Sequence, residues 1–179
     1  MKSLRDALGR ELEWIQPRAM TREYELRDGE ETVASLRFRS FWGSFATAHT
    51  REGDWTFKRV GFFQTRVSVC PAGSDREIAS FKNSTWSAGG TLEFPDGRMF
   101  RANTNFWMTS YEFKNESEEP LVRFRSVRGV FHLGSNVEIA PAAAELPELP
   151  WLVALGWYLA VKMRDDAAGG AAAASAAAG

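Results

Sequence analysis

The feature that most constrains this chain is the apolar segment "WLVALGWYLAV", residues 151–161, which contains no charged residue. On a helical wheel its large side chains leave no polar side, and a helix that is apolar all round is buried in a protein core or in lipid. As a helix the segment spans about 16 Å at about 1.5 Å per residue, against about 30 Å of bilayer hydrocarbon. Extending it to residues 146–163 brings in Glu148 and Lys162. We therefore expect a buried core helix, and keep a C-terminal membrane anchor as the alternative.

Composition places the rest of the chain among ordinary folded proteins. With 179 residues, 44% of them apolar and 25% charged, the chain suits one domain with a substantial core. A net charge of −1 provides no overall attraction to nucleic acid or anionic lipid, so we expect no nucleic-acid partner. The single cysteine, Cys70, rules out an intrachain disulfide.

The two termini differ from the middle of the chain. Leu4, Leu8, Leu12 and Ile15 recur at near-helical spacing among charged residues, which predicts an N-terminal helix or packed arm over residues 1–18 and not a signal peptide. Residues 165–179 are mostly Ala and Gly with little to bury, so we predict a disordered tail there.

Between residues 19 and 140 the pattern is that of short antiparallel strands. Residues 32–40 alternate, with Ala34, Leu36 and Phe38 on one face. Turn residues recur about 20 to 25 positions apart, which is the spacing of one hairpin per turn. The predicted turns are Asp28-Gly29, Glu52-Gly53-Asp54, Ala72-Gly73-Ser74, Pro95-Asp96-Gly97, Asn115-Glu116-Ser117 and Gly134-Ser135-Asn136.

One strand is repeated three times, at residues 31–38, 76–83 and 119–126. The hairpin at 45–60 resembles that at 90–103, and 130–141 is a weaker third copy. Three units of four strands predict about twelve strands, and three units are too few for a propeller. Closure into an antiparallel barrel removes the exposed edges.

Strand side chains alone do not fill a barrel of about twelve strands. The apolar helix, at about residues 148–164, solves this problem if it lies inside the barrel. Its core side chains would be Trp151, Leu152, Leu155, Trp157, Tyr158 and Leu159. We also expect the strand tryptophans to fill the core around it, namely Trp42, Trp55, Trp86 and Trp107.

Three four-strand repeats followed by an apolar helix resemble the tubby C-terminal-like superfamily, which also includes phospholipid scramblases. The segments "YELRDGEETVASLRF" (24–38) and "WLVALGWYL" (151–159) are most similar to LURP-one-related proteins. The resemblance covers residues 19–164 and implies a closed barrel around the terminal helix. It further implies a non-enzymatic, cytoplasmic binding or scaffold protein that contacts phospholipid headgroups at the membrane periphery.

Cationic residues are the candidates for contact with an anionic headgroup. Local clusters on predicted outward faces comprise Arg37, Arg39, Lys58, Arg59, Arg123, Arg125 and Arg128. The alternative interpretation of each cluster is an ordinary solvated polar face.

Motifs for catalysis are missing from the sequence. His49 and His132 are the only histidines, whereas a zinc site takes three or four ligands, and no nucleophile elbow occurs. We therefore predict no catalytic residue, no metal and no cofactor. Two alternatives remain open at this point: a tail-anchored, scramblase-like membrane protein with a cytosolic β domain, and, more remotely, an enzyme of unknown type.

Overall fold

The computed structural model of the chain describes residues 1–61, 66–83, 89–104, 110–128 and 133–177. The chain begins with a single 3₁₀ turn at Arg5–Ala7 and continues into twelve strands. The strands are β1 Leu12–Ile15, β2 Glu23–Asp28, β3 Glu31–Phe38, β4 Ala46–Thr50, β5 Asp54–Val60, β6 Arg66–Pro71, β7 Ala79–Asn83, β8 Gly89–Glu93, β9 Met99–Thr104, β10 Ser110–Lys114, β11 Pro120–Arg128 and β12 Leu133–Ile139. A second 3₁₀ turn, Pro141–Ala143, leads into helix α1, Leu149–Ala177.

The strands form one closed antiparallel barrel in which each strand pairs with its sequence neighbours and β12 pairs with β1. The predicted fold class is therefore confirmed. Alternation along β3 turns Ala34, Leu36 and Phe38 inward, as the sequence pattern indicates. A register irregularity between Leu26 and Arg27 on β2 lets Val33 be buried beside Ala34.

The threefold repeat of the sequence corresponds to β3, β7 and β11. Two complete units follow, β3–β6 and β7–β10, but the third begins at β11 and β12 and is completed by β1 and β2. Leu12 pairs with Val137 and Trp14 with Ser135 across this junction. The third copy is harder to recognise in the sequence because the chain leaves the barrel after Ile139, so β1 and β2 at the start of the chain complete this unit.

Helix α1 occupies the centre of the barrel. Its rings contact strands on different sides: Trp157 stacks on Trp14 of β1 at 5.8 Å between centroids, and Tyr158 stacks on Phe38 of β3 at 5.4 Å. Every residue from Leu149 to Leu159 is buried. The six helix side chains singled out above are all buried: Trp151, Leu152, Leu155, Trp157, Tyr158 and Leu159.

The ends of the chain differ from the sequence-based expectations. Residues 12–15, which we assigned to a helix or arm over 1–18, form the barrel strand β1, because Leu12 and Trp14 alternate inward with a period of two. The helix extends to Ala177, past the expected limit near 164 and through part of the Ala/Gly-rich segment 165–179. The turn predicted at Gly134-Ser135-Asn136 is wrong, because these residues lie within β12.

Candidate functional site

The antiparallel barrel has two ends, and the central helix runs from one to the other. At one end lie residues 16–22, residues 39–45 and the emerging helix residues 162–169, which together we call the basic rim. At the opposite end lie the connections that we call the acidic rim: residues 1–11, 29–30, 51–53, 72–78, 94–98, 115–119 and 140–148. Neither rim includes the four connections that lie outside the described residues: 62–65, 84–88, 105–109 and 129–132.

The two rims differ in charge, although the whole chain is nearly neutral. The residues that define the basic rim include five cationic and two anionic ones. The acidic rim has six cationic residues and twelve anionic ones. Charge is therefore separated along the barrel axis, which the net charge of −1 conceals.

Large apolar side chains are exposed on the basic rim. Trp42 is 90% exposed, Met20 is 91% exposed and Phe41 is 56% exposed. Phe41 and Trp42 contact each other edge to face at 5.1 Å between centroids. We predicted that Trp42 fills the core, and this prediction is wrong. Trp42 falls in the connection after β3, beyond the alternation that turns Phe38 inward.

The backbone at Met20 has an unusual conformation. Its φ of 64° lies in the left-handed region, which residues other than Gly adopt uncommonly. The loop therefore presents a long apolar side chain to solvent at some conformational cost. Such local strain often accompanies a functional role.

Arg22 connects the parts of the basic rim to each other. Its guanidinium donates hydrogen bonds to the Phe41 carbonyl and, at 2.6 Å, to Asp165 on the helix. It also lies over the Phe38 ring, with Cζ 4.2 Å from the centroid, in cation–π geometry. The loop that carries Phe41 and Trp42 is thus held to the barrel wall and to the emerging helix.

Two further contacts fix the helix at this rim. Tyr158 donates a hydrogen bond to the Ser44 carbonyl at 2.6 Å. Arg59 donates to both carboxylate oxygens of Asp166, and these hydrogen bonds raise the pKa of the Arg59 guanidinium. Both acidic residues of the rim, Asp165 and Asp166, are therefore already paired with arginines.

Three arginines of the basic rim form no ion pair with any described residue: Arg18, Arg39 and Arg164. All three are exposed. Their charges are consequently free to attract an external anionic surface.

Most of the cations predicted from sequence are engaged by carboxylates instead. Arg37 pairs with Glu23, Arg59 pairs with Asp166, and Arg123 bonds to Glu112 at 2.8 Å.

Arg125 lies 3.5 Å from Glu138, whereas Arg39 and Lys58 form no ion pair within the described part of the chain. The side chain of Arg128 lies outside the described residues. Only Arg39 of the seven lies within the basic rim as defined, so the predicted clusters do not converge there.

The site residues predicted from sequence did not include Arg18, Met20, Arg22, Phe41 or Arg164. A signal was available in "RSFWGSF" (39–45), where three aromatic residues lie among Ser and Gly instead of alternating with polar residues. Connections with this composition are typical of exposed binding loops more than of strands.

Potential metal ligands do not cluster in the described ranges. His49 is exposed and lies 2.9 Å from Asp54 as an isolated pair, and His132 lies outside the described residues. No group of three or more potential metal-ligating side chains occurs among the residues that the structure describes. Over the same residues, no helix has the length and apolarity needed to cross a bilayer.

Comparison with known proteins finds no matching family model, curated protein or solved structure.

Proposed function

We propose that this protein is a non-enzymatic binding protein that associates peripherally with anionic phospholipid surfaces through its basic rim. The observation that carries the proposal is the combination of exposed Trp42, Phe41 and Met20 with unpaired arginines at one end of the barrel. Trp is enriched at the membrane interface because its ring has both apolar and polar parts.

Electrostatics favours this orientation over the opposite one. Each Arg near an anionic lipid surface contributes about 1 kcal/mol, and three unpaired arginines would together contribute about 3 kcal/mol. The acidic rim would be repelled by the same surface. The barrel therefore approaches with the end from which its central helix emerges.

Apolar insertion adds to the electrostatic attraction. If about half of the Trp42 side chain, ~100 Å², leaves water, about 2.5 kcal/mol is gained at ~25 cal/mol per Å². Neither contribution alone gives stable binding, so we expect both to be required, as they are for other peripheral anchors.

Co-sedimentation with liposomes tests the proposal. Vesicles of phosphatidylcholine alone, with phosphatidylserine, and with a phosphoinositide are compared at low and physiological salt. We expect binding to the anionic vesicles only, weakened by salt. Binding to none of them, or equal binding to all three, would contradict the proposal.

Matched variants locate the surface. Trp42→Ala should reduce partitioning at least about tenfold, whereas Met99→Ala removes an exposed apolar side chain away from the basic rim and should have no effect. Arg39→Gln should cost about fivefold, and Arg51→Gln at the acidic rim should not weaken binding. Equal effects within either pair would reject the basic rim as the binding surface.

We further propose that the chain is a tubby C-terminal-like protein of the LURP-one-related type. The confirmed barrel of twelve strands around a C-terminal helix supports this assignment. The threefold repeat of four strands supports it as well.

A further inference from the structure

A pocket of about 300 Å³ opens at the acidic rim, beside the beginning of the central helix. Its apolar walls include Phe94, Pro147 and Trp151, and its charged lining includes Arg98 and Glu148. The volume is at the lower end of the range for small-molecule sites, and fits one amino-acid side chain better than a large ligand.

Glu148 is an unusual wall for such a pocket because only 6% of the residue is exposed. Its Oε1 accepts a hydrogen bond from Arg98 Nη2 at 2.7 Å. Its Oε2 is buried and has no hydrogen-bond partner among the described residues. A buried carboxylate oxygen without a partner is costly, so a second donor at this position would be stabilising.

The contacts of Arg98 show that a guanidinium group fits against the residues of this pocket. Its Cζ lies 4.7 Å from the centroid of the Phe94 ring while its guanidinium bonds to Glu148. The same side chain also donates to Asp96 at 2.7 Å. If another cation took its place on Glu148, Arg98 would therefore keep an anionic partner.

We propose that this pocket binds the guanidinium group of an arginine side chain. The carboxylate of Glu148, including the unpartnered Oε2, accepts its N–H groups, and the pocket aromatics pack against its plane. A guanidinium fits better than an ammonium because its planar fork can bond to both carboxylate oxygens. The excess of acidic residues on the surrounding rim attracts a basic ligand. This inference does not depend on the proposed membrane contact at the other end.

Calorimetric titration tests the site with defined probes. Nα-acetylarginine amide represents the free group, and the peptide Gly-Gly-Arg-Gly-Gly represents an arginine in a chain, with its Lys counterpart as the comparison. We expect saturable binding of an arginine probe and weaker binding of the lysine peptide. Binding of the amide shows that the side chain suffices, and binding of the peptide alone indicates a protein partner. Binding of neither overturns the proposal.

Substitutions in and beside the pocket make the test specific. Glu148→Gln should weaken arginine binding at least about tenfold, because a charge-assisted hydrogen bond is lost. Glu145→Gln removes the same charge from an exposed position of the same connection and should leave the affinity within about twofold. An equal effect of the two substitutions would mean that the overall negative charge of the acidic rim, and not a specific contact with Glu148, attracts the probe. That result would overturn the proposal.

Arg98→Ala provides a second, independent measurement should Glu148→Gln fail to fold. Removing the resident guanidinium should increase the affinity for the arginine probe several-fold. It should also make the protein more stable in millimolar methylguanidinium chloride than in sodium chloride of the same concentration. Absence of both effects would contradict the proposal.

Discussion

Gly156 determines how closely the central helix approaches the barrel wall. A Cβ at this position would lie 2.2 Å from Cζ of Phe124 and 3.2 Å from Cε2 of Phe113. Glycine in a helix interior costs about 1 kcal/mol relative to alanine. Its presence here is explained by the aromatic rings that occupy the space of a side chain.

Substitution of Gly156 should therefore destabilise the fold in proportion to size. Gly156→Leu is expected to lower the free energy of unfolding by about 3 kcal/mol or more through overpacking. Gly156→Ala should lower it by about 0–2 kcal/mol, since the gain in helix propensity offsets part of the strain. Urea unfolding measures both.

Gly169 provides the matched control on the same helix. It is exposed, and a Cβ there would meet no atom within 4 Å. Gly169→Ala should raise stability by about 0.5–1 kcal/mol. A Gly156→Leu variant as stable as the native protein would show that the helix does not pack as described.

The three tyrosines of the chain form a second group of sensitive residues. Burial raises the pKa of the phenol in Tyr24 and in Tyr158, and raises that of Tyr111 well above its ordinary value. In the unfolded chain these phenols ionise near pH 10. Above that pH the unfolded state binds fewer protons than the folded state, so stability falls as pH rises.

We expect tyrosine ionisation to coincide with unfolding at high pH. Tyrosinate absorbance at 295 nm should appear together with loss of the near-UV circular dichroism. In concentrated denaturant the same residues should titrate near pH 10. Gradual ionisation of all three near pH 10 with the fold intact would contradict their burial.

At the scale of elements, the central helix contributes to the hydrophobic core together with the inward-facing side chains of the barrel strands. Its buried residues meet rings from at least three strands, and Tyr158 is also bonded to the Ser44 carbonyl. Removing one buried Leu or Trp side chain typically costs about 2–5 kcal/mol. A small domain has only about 5–15 kcal/mol of net stability, so the barrel cannot lose the helix and remain folded.

Two truncations separate the buried part of α1 from its C-terminal end. A chain without residues 148–179 should fail to show a cooperative thermal transition and should bind a hydrophobic dye. A chain without residues 170–179 should keep its melting temperature within about 2 °C, because terminal segments outside a core contribute little. A cooperatively folded 1–147 fragment would show that the helix is dispensable.

At the scale of the whole molecule, the axial separation of charge and the exposed Trp42 predict an orientation. If the basic rim faces the bilayer, positions there enter the interface while positions on the acidic rim stay in water. The native Cys70 can be replaced by Ser, which allows single cysteines to be introduced at exposed Ser40 and Ser74.

An environment-sensitive dye on Ser40→Cys should shift to the blue on anionic vesicles, and the same dye on Ser74→Cys should not. The two positions lie on the basic and acidic rims respectively, so each is the control for the other. A shift at Ser74→Cys alone would reverse the proposed orientation. A shift at neither would show that no rim enters the interface.

Much of the fold was predictable because it follows from local chemistry. Five of the six predicted turns lie between consecutive strands, and all five are at the acidic rim, where Gly, Asp and Glu residues mark them. The connections of the basic rim lack this signal, so Trp42 was assigned to the core. The candidate site was largely missed for the same reason.

The sequence alone was enough to establish a barrel of about twelve strands around an apolar helix, because side-chain periodicity and the need to bury a helix without a polar face act locally. Three features depend on which residues meet in the folded chain: closure of the barrel through β1, the pairing of Arg22 and Arg59 with carboxylates of the helix, and the unpaired state of Arg18, Arg39 and Arg164. Such meetings join positions far apart in the chain. The tertiary structure therefore decides that a chain with almost no net charge has one basic end and one acidic end.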